Sequence, residues 1–238
     1  MRQAKRLGIS AAGLLSLALA ASLYLRGWQG EHPVTGRQIA PVMGFGGAAW
    51  LDRPEREQEE APEQAVDALE LRRGMQVADV GAGTGYFTLR LARRVSPGKV
   101  WANDIQPRML EVLRQRAARE RIENIEAVLG TDDDPKLPPR QLDLILMVDV
   151  YHELSKPRDM LRKLAGALNS EGRLVLLEYR KEDPRIPIRF EHKMSVDEVR
   201  AELESDGFRF DKLVSTLPRQ HLLVFRPARA GAAAAGGR

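Results

Sequence analysis

The sequence predicts an α/β fold, a mainly parallel sheet flanked by helices, and two observations carry that reading. From Ala65 onward, short apolar runs alternate with amphipathic stretches, the rhythm of β–α–β units whose parallel strands are joined by right-handed crossovers. Early in that rhythm Val77-Ala-Asp-Val80 meets Gly81, Gly83 and Gly85 and then turns into an amphipathic stretch: strand, tight loop, helix. Glycine at alternate positions removes side chains where the backbone must pass close to a ligand and allows positive φ at no steric cost.

Residues 1–30 stand apart from everything that follows. Arg2, Lys5 and Arg6 precede the uncharged stretch Leu7 to Leu25, and Arg26 closes it. Such a segment is either a cleaved secretory signal, with Ala18 and Ala20 as its small pair, or an uncleaved anchor of about the length that spans a bilayer. A buried globular helix is the plainer alternative, opposed by the basic start and the lack of a polar face. By the positive-inside rule the rest of the chain faces outward, exported or membrane-anchored, although Arg26 and Arg37 make the bias modest and leave the side of the membrane open.

Residues 31–64 form an N-terminal extension or cap. Met43 to Leu51 is apolar, and Arg53 to Glu60 is a dense charge run. The charge run reads as a solvated helix face. Trp50 reads as core packing; the other use of Met43, Phe45, Trp50 and Leu51 is a cap over a ligand pocket.

The domain proper spans residues 65–227. After the glycine loop, Phe87, Leu91 and Val95 share one helical face, and Pro107 opens the next helix at a favourable first-turn position. Between them the strand Lys99 to Asp104 ends on an acid about 20 residues past the glycines, the distance a helix and a return strand require. A carboxylate there can accept hydrogen bonds from both hydroxyls of a ribose, so the ligand reads as an adenosine or a similar nucleoside. A third strand, Ile125 to Leu129, leads into Gly130-Thr-Asp-Asp-Asp-Pro135, and a fourth, Leu142 to Val148, into Asp149-Val-Tyr-His-Glu-Leu154. Strand ends in open α/β sheets line the ligand crevice, which places Asp149, Tyr151, His152 and Glu153 where chemistry occurs.

A helix from near Pro157 precedes a fifth strand, Arg173 to Tyr179. The charged stretch Arg180 to Met194 is long enough for a lid or substrate loop, with a solvated connection as the alternative. Ser195 to Glu198 is a capping box, and Phe208 to Val214 and Gln220 to Phe225 are two last strands around a turn with Pro218. Residues 228–238, rich in Ala and Gly, read as a disordered tail.

Composition excludes several classes. At 238 residues the chain accommodates one domain with additions. Zero cysteines exclude disulfides, thiolate metal sites and a cysteine nucleophile. A formal charge of +4, spread along interleaved acids and bases, gives no nucleic-acid stripe. His152-Glu153 begins an H-E-x-x-H pattern, but position 156 is lysine, so that zinc motif fails and no metal ligand set is read.

The glycine spacing separates candidate cofactors. A dinucleotide fingerprint requires G-x-G-x-x-G, and Tyr86 stands where its third glycine belongs. The pattern Asp79-x-Gly81-x-Gly83-x-Gly85, followed by Asp104, Ile105, Pro107, Met109 and Leu110, instead resembles the class I S-adenosylmethionine-dependent methyltransferases, over roughly Arg72 to Pro227. That resemblance implies a Rossmann-like sheet of seven strands with a C-terminal antiparallel hairpin, and S-adenosyl-L-methionine as cofactor. Residue by residue it implies that Gly81, Gly83 and Gly85 border the methionine part and the ribose and that Asp104 holds the ribose hydroxyls. Asp79 would order the loop or reach the cofactor's amino group, Asp132, with Asp133 beside it, would meet the adenine amino group, and Asp149 would lie near the methionine end. The acceptor is expected to be a small molecule such as a quinone or lipid precursor. From chemistry rather than from the family, His152 is the candidate general base, its unperturbed pKa lying near working pH, and Tyr151 the residue that orients the acceptor. A non-catalytic S-adenosylmethionine-binding domain is the second reading, and a nucleotide-dependent oxidoreductase, disfavoured by Tyr86, the third.

Overall fold

The computed structural model describes residues 30–228. The leader or anchor reading of residues 1–30 and the tail beyond Ala228 therefore fall almost wholly outside the described residues. Among the described residues, no helix is long and apolar enough to cross a membrane.

Seven strands, β1 (Val77–Val80), β2 (Val100–Asp104), β3 (Ile125–Leu129), β4 (Leu142–Val148), β5 (Leu168–Tyr179), β6 (Phe208–Val214) and β7 (Gln220–Pro227), form one sheet in the order β3-β2-β1-β4-β5-β7-β6. The first five run parallel, and β7 enters antiparallel between β5 and β6. This is the expected sheet with its closing hairpin. Strand β5 begins five residues earlier than the sequence reading had it, at Leu168, because Leu142 pairs with Leu168 before a register shift.

Among the described residues, seven helices surround the sheet: α1 (Ala48–Leu51), α2 (Arg56–Glu60), α3 (Pro62–Ala68), α4 (Tyr86–Val95), α5 (Pro107–Arg119), α6 (Pro157–Ala167) and α7 (Val196–Ser205). On α4 the face Phe87, Leu91 and Val95 is buried, and Pro107 occupies the first turn of α5. Ser195 caps α7 through the reciprocal capping box with Glu198. One sheet face packs Ile145, Met147 and Leu176 against Leu161 and Leu164 of α6 and Leu203 of α7; the other packs Leu144 and Leu146 against Leu91 and Val66. Each such fully buried aliphatic side chain stabilises the fold by about 1.5–3 kcal/mol.

Two readings of the extension are corrected. Trp50 is not core: it stays 38% exposed, with the Arg53 guanidinium 3.9 Å from its ring centroid. The charge run is not a simple solvated face, because Arg56 and Glu60 are buried. Glu60 accepts hydrogen bonds from Arg56 Nε at 2.6 Å and from the hydroxyl of Tyr179 at 2.6 Å, and a charge so paired can leave water.

Candidate active site

The strand order reverses between β1 and β4, and a crevice at that switch point is where open α/β sheets bind ligands. A cavity lies there, lined by Gly81, Gly83, Asp104, Asp149, Glu153 and Met160 among others. It holds about 920 Å³ of space, its solvent mouth included.

The glycine loop forms one wall. Gly81 and Gly83 have φ of +75° and +53°, the left-handed region where side chains are strained. A Cβ on Gly81 would run into Val150, and one on Gly85 would stand 2.9 Å from Leu113. Backbone N–H groups of Gly81 and Ala82 both donate to the Asn103 carbonyl at 2.9 Å, which ties the loop to the end of β2. Gly85 does not line the cavity; it precedes α4 as its N-cap.

Asp104 sits at that strand end, facing the loop. Its carboxylate accepts from Gly83 N at 2.9 Å and from Gln106 N at 2.8 Å, leaving a further lone pair on each oxygen. Burial raises its pKa above the ordinary carboxylate value. Asp79 lies beneath the loop and is not a wall residue. It accepts from the Thr88 hydroxyl at 2.6 Å, so it fastens β1 to α4, and burial pushes its pKa up to about 6.

The segment after β4 makes the opposite wall. Asp149 adopts φ of +53°, sparsely populated for a residue with a side chain. Its Oδ2 accepts from Gln220 Nε2 at 2.8 Å, while Oδ1 is buried without a partner, as is Gln220 Oε1. Burial, with Glu60 and Glu178 nearby, raises the Asp149 pKa well above the ordinary value. Glu153 faces the cavity too, accepting from Met43 N at 3.3 Å, and burial pushes its carboxyl up to about 7.

Tyr151 and His152, the sequence candidates for acceptor orientation and base catalysis, do not line this cavity. Tyr151 is fully buried, its hydroxyl 3.4 Å from His32 Nε2. His152 points to Glu178, with Nδ1 2.6 Å from Oε2. Burial opposes the charged imidazole, but the Glu178 carboxylate together with Glu153 and Asp149 outweighs it and raises the pKa. The one-turn 3₁₀ helix Tyr151–Glu153 explains the divergence, because its three side chains leave the axis in three directions. Asp132 is at the cavity edge, exposed, with its Oδ2 2.9 Å from Lys156 Nζ.

The extension closes the cavity. Val42, Met43, Trp50, Leu51 and Arg56 line it, and Gln106 Nε2 donates to the Met43 carbonyl at 2.9 Å. Sequence reading missed Arg56, Glu178 and Gln220, and it placed Glu153 at the strand end without giving it a role. Glu178 left one signal, an acid inside the apolar run of β5.

Residues 77–172 match the family described as methyltransferase domain. A demethylmenaquinone methyltransferase from Tropheryma whipplei is 38% identical over 115 residues, 48% of this chain and 46% of that protein. A ubiquinone/menaquinone biosynthesis C-methyltransferase from Azotobacter vinelandii is 32% identical over 118 residues, 49% of this chain and 47% of that protein. The matched part of the chain thus spans about half the length of these curated relatives. An S-adenosylmethionine-dependent methyltransferase from Aquifex aeolicus superposes with a TM-score of 0.73 at 27% identity, over 77% of this chain and 98% of that one. Sheet order, glycine loop and these likenesses agree: residues 77–172 match a methyltransferase domain, and the chain has the class I S-adenosylmethionine-dependent methyltransferase fold.

Proposed function

We propose that this protein binds S-adenosylmethionine in the cavity at the ends of β1, β2 and β4 and directs its methyl group to a small, largely apolar acceptor. The observation that carries the proposal is the pairing of Asp104 with the glycine loop across one cavity wall. The cradle fits the cofactor. Asp104 keeps lone pairs for two ribose hydroxyls, Gly81 and Gly83 let the backbone approach, and Met109 and Ile105 offer apolar contact near the adenine, with Asp132 at its edge. The partnerless Asp149 Oδ1 fits the cofactor's ammonium group, which would satisfy an otherwise orphaned buried acceptor.

When bound, the cofactor supplies a methyl group activated on a sulfonium, which makes the chemistry largely its own. The chain's part is alignment, and holding reacting atoms near attack distance is worth about 7–11 kcal/mol. Trp50, Leu51, Val42 and Leu154 present an apolar wall for the acceptor, and Glu153 a polar point that fixes its orientation. His152 and Tyr151 shape this wall from behind. The two menaquinone-related relatives support a quinone-like acceptor. Residues 1–30, acting as an anchor, would keep the domain beside a lipophilic acceptor; fractionation of the full chain and N-terminal sequencing test that.

Calorimetry on the full chain with S-adenosylmethionine, S-adenosylhomocysteine and NAD is the test, followed by a screen of demethylated quinols. Binding of the first two with loss in Asp104→Ala, then methylated product, is expected. Binding without product from any acceptor would favour a non-catalytic domain, and selective binding of NAD would overturn the proposal.

A further inference from the structure

Two of the chain's four histidines meet beside the cavity although 40 residues separate them. His152 Nε2 lies 3.0 Å from His192 Nδ1, and Glu153 Oε1 lies 3.7 Å from the latter and 3.9 Å from the former. The rings stand edge to face, 87° between planes. One nitrogen of His152 is committed, since Nδ1 faces Glu178 at 2.6 Å, and this leaves Nε2 turned toward His192 and Glu153.

We propose that His152 Nε2, His192 Nδ1 and the Glu153 carboxylate form a binding site for a first-row divalent transition ion of the zinc class. Ligand bonds of 2.0–2.1 Å in a tetrahedron put neighbouring donor atoms about 3.3–3.4 Å apart, and the three separations here bracket that value. Two imidazoles and a carboxylate, with one position left for water or a lone-pair donor, is the open arrangement such ions adopt. Glu178 completes it as the carboxylate that orients a ligating histidine from behind. The surroundings favour a cation: Glu178 and Asp104 both act on Glu153 with like charge. Access exists through His192, whose side chain is 20% exposed, while Glu153 connects the site to the cavity wall. The sequence concealed the set because its third ligand comes from the Arg180–Met194 stretch rather than from position 156.

The site does not depend on methyl transfer, so it is tested with metal alone. The untagged full-length chain, stripped with chelator, is titrated with Zn²⁺ by calorimetry and with Co²⁺ by visible absorption. One equivalent should bind, with the d–d bands of a low-symmetry Co²⁺ complex. His192→Ala and Glu153→Gln should each weaken binding about 10-fold or more, and Glu178→Gln about 10- to 100-fold, whereas His221→Ala, outside the cluster, should leave it unchanged. Should His192→Ala fail to fold by circular dichroism, His192→Gln serves in its place. Absence of stoichiometric binding to the folded wild type, or equal affinity in the His192 variant, would overturn the site and leave the histidines a hydrogen-bonded pair.

Discussion

Two buried polar clusters meet the 3₁₀ turn after β4 from different sides, and they are built to opposite rules. In the first, the N-terminal arm is latched to α7: Glu202, fully buried, accepts from Arg37 Nε at 2.9 Å and Nη2 at 3.0 Å and from the Thr35 hydroxyl, with His32 Nε2 at 3.3 Å. Arg37 also donates to the His152 carbonyl at 3.1 Å. In the second, at the cavity wall, Asp149 and Gln220 each keep a buried oxygen without a partner. A satisfied network fixes architecture, whereas an orphaned buried acceptor in a native fold calls for an explanation in function. The latch shapes the cavity; the wall is arranged for something that enters it.

The sharpest way to break this comparison is to remove one partner from each cluster. Glu202→Ala strands the Arg37 guanidinium in the interior, and breaking a buried pair in this way costs about 3–5 kcal/mol. Urea denaturation should show that loss, while the variant that remains folded should bind S-adenosylmethionine as the wild type does. A stability change near zero would mean the latch is peripheral.

Asp79 provides a pH test of the loop's foundation. Its folded pKa is near 6, raised first by burial, against an ordinary 3.8. A raised carboxyl favours its protonated form in the folded state, so the associated stability is fully present below about pH 4. It fades as pH rises toward 6. The gap, about two pH units at about 1.4 kcal/mol each, amounts to roughly 3 kcal/mol between those limits. Urea titrations of the cofactor-free chain across that window should show a fall to which the raised carboxyls of Glu153, Asp104 and Asp149 also contribute, and Asp79→Asn should lessen its slope by the share of Asp79. An unchanged slope in the variant would place the titration elsewhere.

Asp104→Ala should act on the ligand instead of on the fold. Losing hydrogen bonds to a charged acceptor is worth about 1.5–3 kcal/mol, or roughly 10- to 150-fold in the dissociation constant. Calorimetry with S-adenosylhomocysteine measures it. An affinity within twofold of the wild type would remove Asp104 from the ribose site.

The sheet was legible because its signals are local. Apolar runs, the glycines and the Ser195–Glu198 box each act within a few residues, and they locate β1 to β7 and α4 to α7, apart from the early start of β5 at Leu168. What escaped was long-range. Buried Glu60 is met by Tyr179 from β5, and no helical spacing in Arg53–Glu60 records that. His152 looked like a base at a strand end, but one turn of 3₁₀ helix carries it away from the cavity and gives the wall position to Glu153. Spacing located the segment; the direction of each side chain depended on partners elsewhere in the chain.

Trp50 makes the finest test. Buried in a core, truncation to alanine costs about 3–5 kcal/mol; on this wall it should cost no more than about 1 kcal/mol, the scale of an exposed cation–π contact. The residue is 38% exposed, stacked by Arg53 and turned to the cavity beside Leu51. Trp50→Ala should therefore keep its thermal midpoint and bind S-adenosylhomocysteine a few-fold more weakly, because less of the ligand is covered. A large loss of stability would show that the extension is part of the core, and the contrast between a satisfied latch and an open wall would then stop short of α1.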